Sequence, residues 1–302
     1  MKLTETTALP ETLLAELAMA GIDVDHLITM IGLAVDEDLP ADDSVDVTSE
    51  ATIAAEARAR GDFAVRDAGV VSGLGVAELV FRLVLGDDVT VSGRVPDGTR
   101  VAPGDVVMVV EGSTRGLLTA ERTALNFASH LSGISTATAA WVEALEGTGT
   151  RVQDTRKTMP GMRNLQKYAV RAGGGVNHRM SLVDMALVKD NHVIAAGGVV
   201  PAYEAIKRDY PELPIEIEVT TLAELRELLE VGCDRIMLDN MSLEEMTEAV
   251  DITAGRAILE ASGGLTLERA RAVAQTGVDL IAVGALTHSV TVFDIGFDLE
   301  DL

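Results

Sequence analysis

The chain has 302 residues, of which 48 are acidic and 24 basic, giving a formal net charge of −24. This charge argues against nucleic acids and anionic membrane surfaces as partners, because both are polyanions that need a basic footprint on the protein. The single cysteine, Cys233, cannot form an internal disulfide or a cysteine zinc site, and its apolar neighbours predict a buried side chain. No apolar run approaches the ~18 residues of a membrane span and no leader peptide is apparent, so we expect a soluble, cytoplasmic protein.

Lysine is scarce in this sequence, which has five lysines and 19 arginines. Acid enrichment with lysine depletion along the whole length is typical of proteins from a high-salt cytoplasm, where salt screens the repulsion between surface charges. We therefore predict a halophilic protein. The alternative is an ordinary acidic cytosolic enzyme.

Residues 1–116 are predicted to form an α+β sandwich domain. Two amphipathic stretches near its start indicate helices, and short apolar segments with glycine turns follow them. Residues 91–112 have the hairpin pattern of a biotinyl or lipoyl module, but no lysine lies between Lys2 and Lys157 to carry such a group. Residues 290–302 are a candidate segment for a return to this domain.

Residues 117–289 are predicted to form an incomplete parallel α/β barrel, the catalytic domain. Short apolar strands alternate there with amphipathic helices, and this alternation predicts a parallel sheet. The expected strands are RVQDT, MALVKD, IEIEV, RIMLDN, AILEAS and LIAVGA. Helix N-caps are expected at Thr221, Ser242 and Thr266. A full eight-fold barrel takes about 250 residues, so this segment is too short for one.

A basic segment, residues 151–192, interrupts the acidic sequence. Its 42 residues contain eight Lys/Arg and three Asp, a local charge of +5, together with His178 and His192. Polar and charged residues also end the predicted strands, and in this architecture the carboxyl ends of the strands form the active-site face. The segment therefore predicts a site for a small substrate with several negative charges.

Two motifs in the basic segment contain candidate anion-binding groups. TRKTMPG places Arg156 and Lys157 at a strand end, and RAGGGVNHRM places His178 and Arg179 after three glycines, with Lys189 at the next strand end. Arginine binds a carboxylate through two parallel hydrogen bonds, and lysine acts as a point charge on phosphate. Taken singly, each motif has a simpler interpretation. Arg156 and Lys157 could be a solvated pair on the surface, and His178 could be a buried histidine with a structural role only.

Later strand ends complete the predicted site. Glu218 and Asp239 bring negative charge to an anion site, which is explained if they bind a divalent cation or sugar hydroxyls. EASGG at 260–264 and VGALTHS at 283–289 follow the last two strands, where α/β barrels bind phosphate. We therefore predict that a phosphorylated sugar reacts here with a carboxylated partner.

With these motifs the chain resembles the quinolinate phosphoribosyltransferase family, the carboxylating nicotinate-nucleotide pyrophosphorylases. TRKTMPGMRNLQKYAVRAGGGVNHRMSLVDMALVKDNH is similar to the family signature nearly throughout, and ERTALNFASHLSGIST, IEIEV, IMLDN, EASGG and VGALTHS follow in the family's order. The resemblance implies a type II phosphoribosyltransferase fold and a homodimer or higher oligomer whose subunits share the active site. It also implies that quinolinate and 5-phosphoribosyl-1-pyrophosphate react with Mg²⁺ to give nicotinate mononucleotide, pyrophosphate and CO₂ for NAD biosynthesis.

The resemblance also implies residue roles. The quinolinate carboxylates would be held by Arg156, His178 and Arg179, with Arg122 from the neighbouring subunit. The residues implied to be catalytic, acting on the ligands' charge, the ribose hydroxyls and Mg²⁺, are Lys157, Lys189, Glu218 and Asp239. Thr155 is also implied to bind substrate. The 5′-phosphate would bind at Ser262, Gly263, Gly264, Gly284 and Ala285.

One departure from the family and three alternative functions are noted. Thr220 stands where relatives often carry a third acid, which bears on the metal geometry. A phosphoribosyltransferase for another base is the main alternative. The predicted binding of two carboxylate groups favours quinolinate as the substrate. A non-catalytic nucleotide sensor would leave Glu218 and Asp239 without a role. An aldolase with a Schiff base on Lys189 would be trapped by borohydride.

Overall fold

The structure is a computed structural model that describes residues 9–41 and 43–302. Residues 1–8, on which the expectation of no leader peptide partly rests, lie outside the described residues. Among the described helices, no single one is long and apolar enough to cross a membrane. Only a pair bent by 110° passes that test of length and composition together, Glu11–Met19 with Val24–Asp38.

The described residues form twelve helices, twelve strands and a short 3₁₀ turn at Gly86–Asp88. The helices are α1 (Glu11–Met19), α2 (Val24–Asp38), α3 (Val47–Thr52), α4 (Leu74–Leu85), α5 (Thr114–Ala144), α6 (Arg163–Ala172), α7 (Asp190–Ala196), α8 (Val199–Asp209), α9 (Leu222–Glu230), α10 (Leu243–Thr253), α11 (Leu267–Ala274) and α12 (Ala285–His288). The strands are β1 (Arg58–Val65), β2 (Gly69–Val70), β3 (Thr90–Ser92), β4 (Arg100–Val101), β5 (Val106–Ser113), β6 (Arg151–Gln153), β7 (Ala186–Val188), β8 (Ile215–Val219), β9 (Arg235–Asp239), β10 (Ile258–Ser262), β11 (Leu280–Ala282) and β12 (Ile295–Asp301).

These elements belong to two compact units, each of which is built from more than one stretch of the chain. The first unit comprises the described residues up to Ala137, Met159–Gly173 and Ser289–Leu302. The second unit comprises Thr138–Thr158 and Gly174–His288. The predicted domain boundary at residue 116 lies inside α5, whose 31 residues belong partly to each unit.

The first unit is built on a four-stranded antiparallel sheet in the order β12-β1-β5-β3. Strand β12 brings Phe297 opposite Phe63, and both rings pack against Phe81 of α4 with centroids 5.5 to 6.0 Å apart. A glycine is required at Gly61 because a Cβ there would collide with the Phe297 ring. The aromatic cluster therefore joins the C-terminal strand to the core of this unit.

The expected hairpin at 91–112 is only partly correct. Strands β3 and β5 do pair antiparallel, with Val91 opposite Val110. The intervening β4 pairs instead with β2, in a separate two-stranded sheet. The loop between β3 and β5 therefore contains a strand of its own.

The second unit contains a parallel sheet of six strands in the order β6-β11-β10-β9-β8-β7. All six predicted strands are present, and helices connect most successive strands. The fold-class prediction, an incomplete parallel α/β barrel with a separate N-terminal α+β domain, is confirmed. In such a sheet the carboxyl ends of all strands lie at one edge, which brings their terminal side chains together.

Two of the three predicted helix N-caps form as expected. The Thr221 hydroxyl accepts from the N–H of Glu224, and that of Ser242 from the N–H of Glu245, each within a capping box. Thr266 occupies the N-cap position of α11 as predicted, but its side chain makes no capping bond. Residue type at the N-cap position alone did not settle the hydroxyl's orientation.

Thr221→Ala is expected to lower the free energy of unfolding by about 1 kcal/mol, because it removes an N-terminal capping bond. The matched change Thr266→Ala removes no such bond and is expected to cost clearly less. Urea unfolding followed by circular dichroism measures both. Equal losses would contradict the difference between the two caps.

Candidate active site

A cavity of about 250 Å³ lies in the second unit, among side chains from the carboxyl halves of its strands and the loops that follow them. The predicted site residues that line it are Thr155, Arg156, Lys157, His178, Arg179, Lys189 and Ser262. The lining is completed by Glu260, from the predicted EASGG motif, and by three residues that the sequence analysis did not assign to the site: Leu187, Met237 and Ala282. Residues from β6, β7, β9, β10 and β11 or the loops after them therefore meet in one cavity, as the parallel topology requires.

Two guanidinium groups meet in this cavity without a full set of acceptors. The Nε atoms of Arg156 and Arg179 are buried and have no hydrogen-bond partner. Burial, together with the positive charge of Arg156, lowers the pKa of Arg179. A buried donor without an acceptor costs free energy, and so do two like charges close together. A bound anion would remove both costs, so this part of the cavity is suited to a carboxylate or phosphate ligand.

His178 is held in the cavity wall by two buried carboxylates. Asp154 accepts from the backbone N–H of His178 at 2.9 Å and from the Asn177 amide at 2.5 Å, which fixes the loop that carries the ring. The ring Nε2 lies 2.6 Å from the carboxylate of Glu216 on β8. The ring orientation is therefore determined from outside the cavity, before any ligand binds.

A buried polar cluster lies beneath His178. The Arg235 guanidinium contacts Glu216 at 2.9 Å and Glu260 at 3.4 Å, and the Gln153 amide donates to Glu260. Although burial opposes it, hydrogen bonding by His178 and the charges of His178 and Arg235 lower the pKa of Glu216. Burial, and then the nearby charge of Glu216, raise the pKa of Glu260 well above its usual value.

This cluster also contains three potential metal ligands, with the ligand atoms of His178, Glu216 and Glu260 within 4.8 Å of one another. The guanidinium of Arg235 already contacts both carboxylates. The positive charge that a cation would supply is therefore present in the protein itself.

Sequence analysis placed Glu216 and Glu260 among the polar strand-end residues without giving either acid a role of its own, and it did not predict Arg235, although the strand period contains the signal. Side chains two residues apart in a strand lie on the same face. Glu216 shares a face with the predicted Glu218, and Glu260 with the predicted Ser262. An acid in an apolar strand, in phase with a site residue at the strand end, indicates a polar group beneath the site.

Of the predicted acids at the ends of β8 and β9, Glu218 lies beside a lysine. Lys189 Nζ is 3.5 Å from a carboxylate oxygen of Glu218. Burial raises the pKa of Glu218, and the charge of Asp239 raises it further against the opposing effect of Lys189. Two carboxylates that repel each other across neighbouring strands can hold a divalent cation, which prefers oxygen ligands.

The predicted phosphate turns contact the other site residues, although Gly263, Gly264, Gly284 and Ala285 do not line the cavity. Gly284 packs against Lys157, since a Cβ built there would be 3.0 Å from Cδ of the lysine. The hydroxyl of Thr287 also donates to the backbone carbonyl of Lys157, at 2.9 Å. Lys157 is therefore fixed to the turn after β11.

A second turn is fixed to the end of β9. Gly263 has φ +99° and lies against Asn240, which itself has φ +55°. Asn240 in turn donates to Asp239 at 2.8 Å. Only glycine fits at position 263, because both the close approach and the positive φ exclude a side chain.

The basic segment 151–192 is divided between the two units. Arg156, Lys157, Arg179 and Lys189 line the cavity. The three cations of α6 belong to the first unit, where Lys167 is fully buried and Arg171 donates to the carbonyl of Ala20 at 2.5 Å. Arg122 also belongs to the first unit, on α5, with 66% of its side chain exposed.

Comparison with known proteins assigns the family. The profile of the quinolinate phosphoribosyl transferase N-terminal domain matches residues 46–132, and that of the C-terminal domain matches residues 134–298. The chain belongs to the quinolinate phosphoribosyltransferase family. Members of this family therefore provide the comparison for the cavity.

Individual relatives agree with this assignment. A nicotinate-nucleotide pyrophosphorylase [carboxylating] of Mycobacterium leprae is 50% identical over 285 residues, covering 93% of this chain and all of the relative. Quinolinate phosphoribosyltransferase [decarboxylating] 1b of Nicotiana tabacum is 39% identical over 290 residues, covering 90% of this chain and 81% of the relative. The crystal structure of NadC from Streptococcus pyogenes has a TM-score of 0.87 at 39% identity, covering 91% of this chain and 97% of that one.

An aromatic dianion is expected to stabilise the protein by filling the cavity. Phthalate, with two adjacent carboxylates on a six-membered ring, would satisfy the unpartnered Nε atoms of Arg156 and Arg179. At about 100 times its dissociation constant, a ligand adds about 2.7 kcal/mol to the free energy of unfolding. Differential scanning fluorimetry should show this as a rise in Tm with phthalate concentration.

The matched variants are Arg179→Gln and Arg171→Gln, which each remove one cation of the basic segment. We expect Arg179→Gln to lose most of the phthalate shift, because its guanidinium lines the cavity. Arg171→Gln should retain it, because Arg171 donates to the carbonyl of Ala20 and does not line the cavity. A shift that depends equally on both arginines would contradict this site.

Proposed function

We propose that the protein is a quinolinate phosphoribosyltransferase of de novo NAD biosynthesis. It transfers the phosphoribosyl group of 5-phosphoribosyl-1-pyrophosphate to the ring nitrogen of quinolinate and releases pyrophosphate and CO₂. The observation that carries this proposal is the pair of buried, unpartnered guanidinium Nε atoms in the cavity of a chain that belongs to this family. Two adjacent carboxylates on one ring match these two neighbouring cations.

In this proposal, quinolinate binds between Arg156, Arg179 and His178. The two arginines neutralise its carboxylates, and His178, oriented by Glu216, adds a third polar contact. Fixed cations of this kind align the ring nitrogen with the anomeric carbon of the second substrate. Nicotinate, which has one carboxylate, would leave part of this positive charge unpaired, and the cavity therefore favours the dicarboxylate.

The phosphoribosyl group is proposed to lie toward the strand ends. Lys157 and Lys189 would contact its negative charge, and Glu218 and Asp239 its ribose hydroxyls and a Mg²⁺ ion. Loss of pyrophosphate leaves oxocarbenium character at the anomeric carbon, which nearby carboxylates stabilise. When bound, Mg²⁺ would neutralise the charge that develops on the leaving pyrophosphate. The repulsion between Glu218 and Asp239 supports their role as its ligands.

The 5′-phosphate is proposed to bind at the turns after β10 and β11. The candidate groups are Ser262, Gly263, Gly264, Gly284 and Ala285. Glycine turns allow backbone N–H groups to approach an anion. Support comes from the contacts of these turns with Lys157 and Asn240, which fix their positions beside the other site residues.

A homodimer with a shared active site is also proposed. Arg122 is exposed on α5 and belongs to the first unit, so it is available to another subunit. We further propose a cytoplasmic, halophilic enzyme. The acidic composition supports the halophilic character, and the free, buried thiol of Cys233 fits a reducing compartment.

The direct test is an assay with quinolinate, 5-phosphoribosyl-1-pyrophosphate and Mg²⁺. We expect nicotinate mononucleotide and CO₂ in a 1:1 ratio, loss of product when the metal is chelated, and higher activity in multimolar KCl than at low salt. Nicotinate in place of quinolinate tests the main alternative and should give no nucleotide. Absence of product from quinolinate at both salt concentrations would rule out the proposed function.

Subunit sharing is tested by mixing two inactive variants, Arg122→Ala and Lys157→Ala. In random hybrid dimers one site of two regains both residues, so activity should recover to about a quarter of the unmutated level. Subunits must be exchanged by mild denaturation and refolding before the assay, and each variant treated alone is the control. No recovery from a mixture that contains hybrid dimers would contradict the shared site.

A further inference from the structure

Asn240 directly follows the predicted site acid Asp239 at the end of β9 and has no role of its own in the reaction proposed above. Its side-chain amide donates to a carboxylate oxygen of Asp239 at 2.8 Å. Its backbone N–H donates to the carbonyl of Ser262, at the end of β10, at 3.0 Å. Its side-chain oxygen lies against Gly263, where a Cβ would collide with it. One residue therefore contacts both a predicted ribose-binding acid and the predicted phosphate turn.

Asn240 also has an unusual backbone conformation. Its φ of +55° lies in the left-handed region, which asparagine tolerates better than most residues with a side chain. Among the described residues, the only other non-glycine residue with a positive φ is Ala254, at the end of α10. Such a conformation persists where the surrounding structure determines it, and here the bonds to Asp239 and Ser262 do so. The turn after β9 is therefore fixed by contacts on both of its sides.

The two groups that Asn240 contacts are proposed to bind different ends of one ligand. Asp239 is proposed to bind the ribose hydroxyls, and the turn at residues 262–264 the 5′-phosphate. A ligand that carries both groups gains affinity from the second contact only if the protein holds the two subsites at the matching separation before the ligand binds. A residue that contacts both subsites can fix that separation.

We propose that Asn240 is a positioning residue that sets the spacing between the ribose subsite and the 5′-phosphate subsite. It acts through Asp239 and through the turn that begins at Ser262, and not through a contact with substrate. It therefore raises the affinity for a ligand that spans both subsites, and leaves the binding of a separate phosphate ion or of an aromatic dicarboxylate nearly unchanged. This inference rests on the proposed function, because that function assigns the two subsites.

The variant Asn240→Gly separates the contribution of the side chain from that of the backbone. Glycine adopts a φ of +55° readily, so this variant keeps the backbone conformation and loses the contacts of the amide. Because Asn240 is exposed, the change removes little buried surface and the variant should fold. Its Tm without ligand, compared with that of the unmutated protein, checks this.

The test measures ligand affinities from the dependence of Tm on ligand concentration, with MgCl₂ and saturating phthalate present. Phthalate occupies the carboxylate site at Arg156 and Arg179, so that phosphate groups are directed to the glycine turns. We expect ribose 5-phosphate, which spans both subsites, to bind Asn240→Gly about tenfold more weakly than the unmutated protein, because a hydrogen bond to a charged group is lost. Inorganic phosphate, which reaches only the turn, should bind both proteins nearly equally.

Asn177→Ala is the matched control, because it removes a similar amide from the carboxylate-binding half of the site. The Asn177 amide donates to Asp154 at 2.5 Å, in the loop that carries His178. We expect this variant to weaken phthalate binding. Once phthalate is again saturating, the ratio of the ribose 5-phosphate and phosphate affinities should equal that of the unmutated protein.

The enzyme assay gives a second readout. Asn240→Gly should raise KM for 5-phosphoribosyl-1-pyrophosphate about tenfold, because the spacing of its two subsites is no longer fixed. KM for quinolinate should stay nearly unchanged, because the carboxylate site is intact. A general loss of structure would change both KM values.

Failure of this inference can be told apart from failure of the proposed function. If the unmutated protein makes no product from its two substrates, the proposed function fails, and the ribose 5-phosphate comparison still decides the role of Asn240. If ribose 5-phosphate binds Asn240→Gly as tightly as it binds the unmutated protein, Asn240 does not set the spacing. Equal losses for ribose 5-phosphate and inorganic phosphate would also overturn the inference, because they would mean a direct contact with phosphate or a disrupted turn.

Discussion

The repulsion between Arg156 and Arg179 is the constraint on which the rest of the site depends. Two guanidinium groups are held in one cavity, each with a buried Nε that has no acceptor, in a chain with a net charge of −24. Such a pair persists only where the surrounding strands and loops determine its position. A bound anion would offset this repulsion, so the arginine pair favours a ligand with two adjacent negative charges.

The buried cluster beneath the cavity supplies the compensating charge. Glu216 and Glu260 bring two carboxyl groups together, and Arg235 contacts both of them and so reduces the repulsion between them. Burial and the charge of Glu216 raise the pKa of Glu260, which favours a protonated Glu260 beside an ionised Glu216.

The strands and most of their terminal residues could be predicted from the sequence, because apolar periodicity and strand-end chemistry are local signals. The division of the basic segment between two units could not, since it depends on where α6 packs and not on its composition. The missing cap at Thr266 is a matter of side-chain orientation, which residue type leaves open. The roles of Glu216, Arg235 and Glu260 depend on which acids and cations face each other across strands, which requires the register of the sheet.

That register places one set of polar side chains at inner positions of the strands and another set at the strand ends. Along β9, one face of the sheet carries Arg235, Met237 and Asp239. On the same face, β8 carries Glu216 and then Glu218, and β10 carries Glu260 and then Ser262. The deeper positions hold the polar cluster that orients His178, and the positions at the strand ends meet Lys189 and the glycine turns. In the proposed reaction the aromatic ring would lie beside His178 and the phosphorylated sugar at the strand ends. Because the strand period is two, one residue of slip in any of these strands would turn both its deep and its outer site residue away from the cavity.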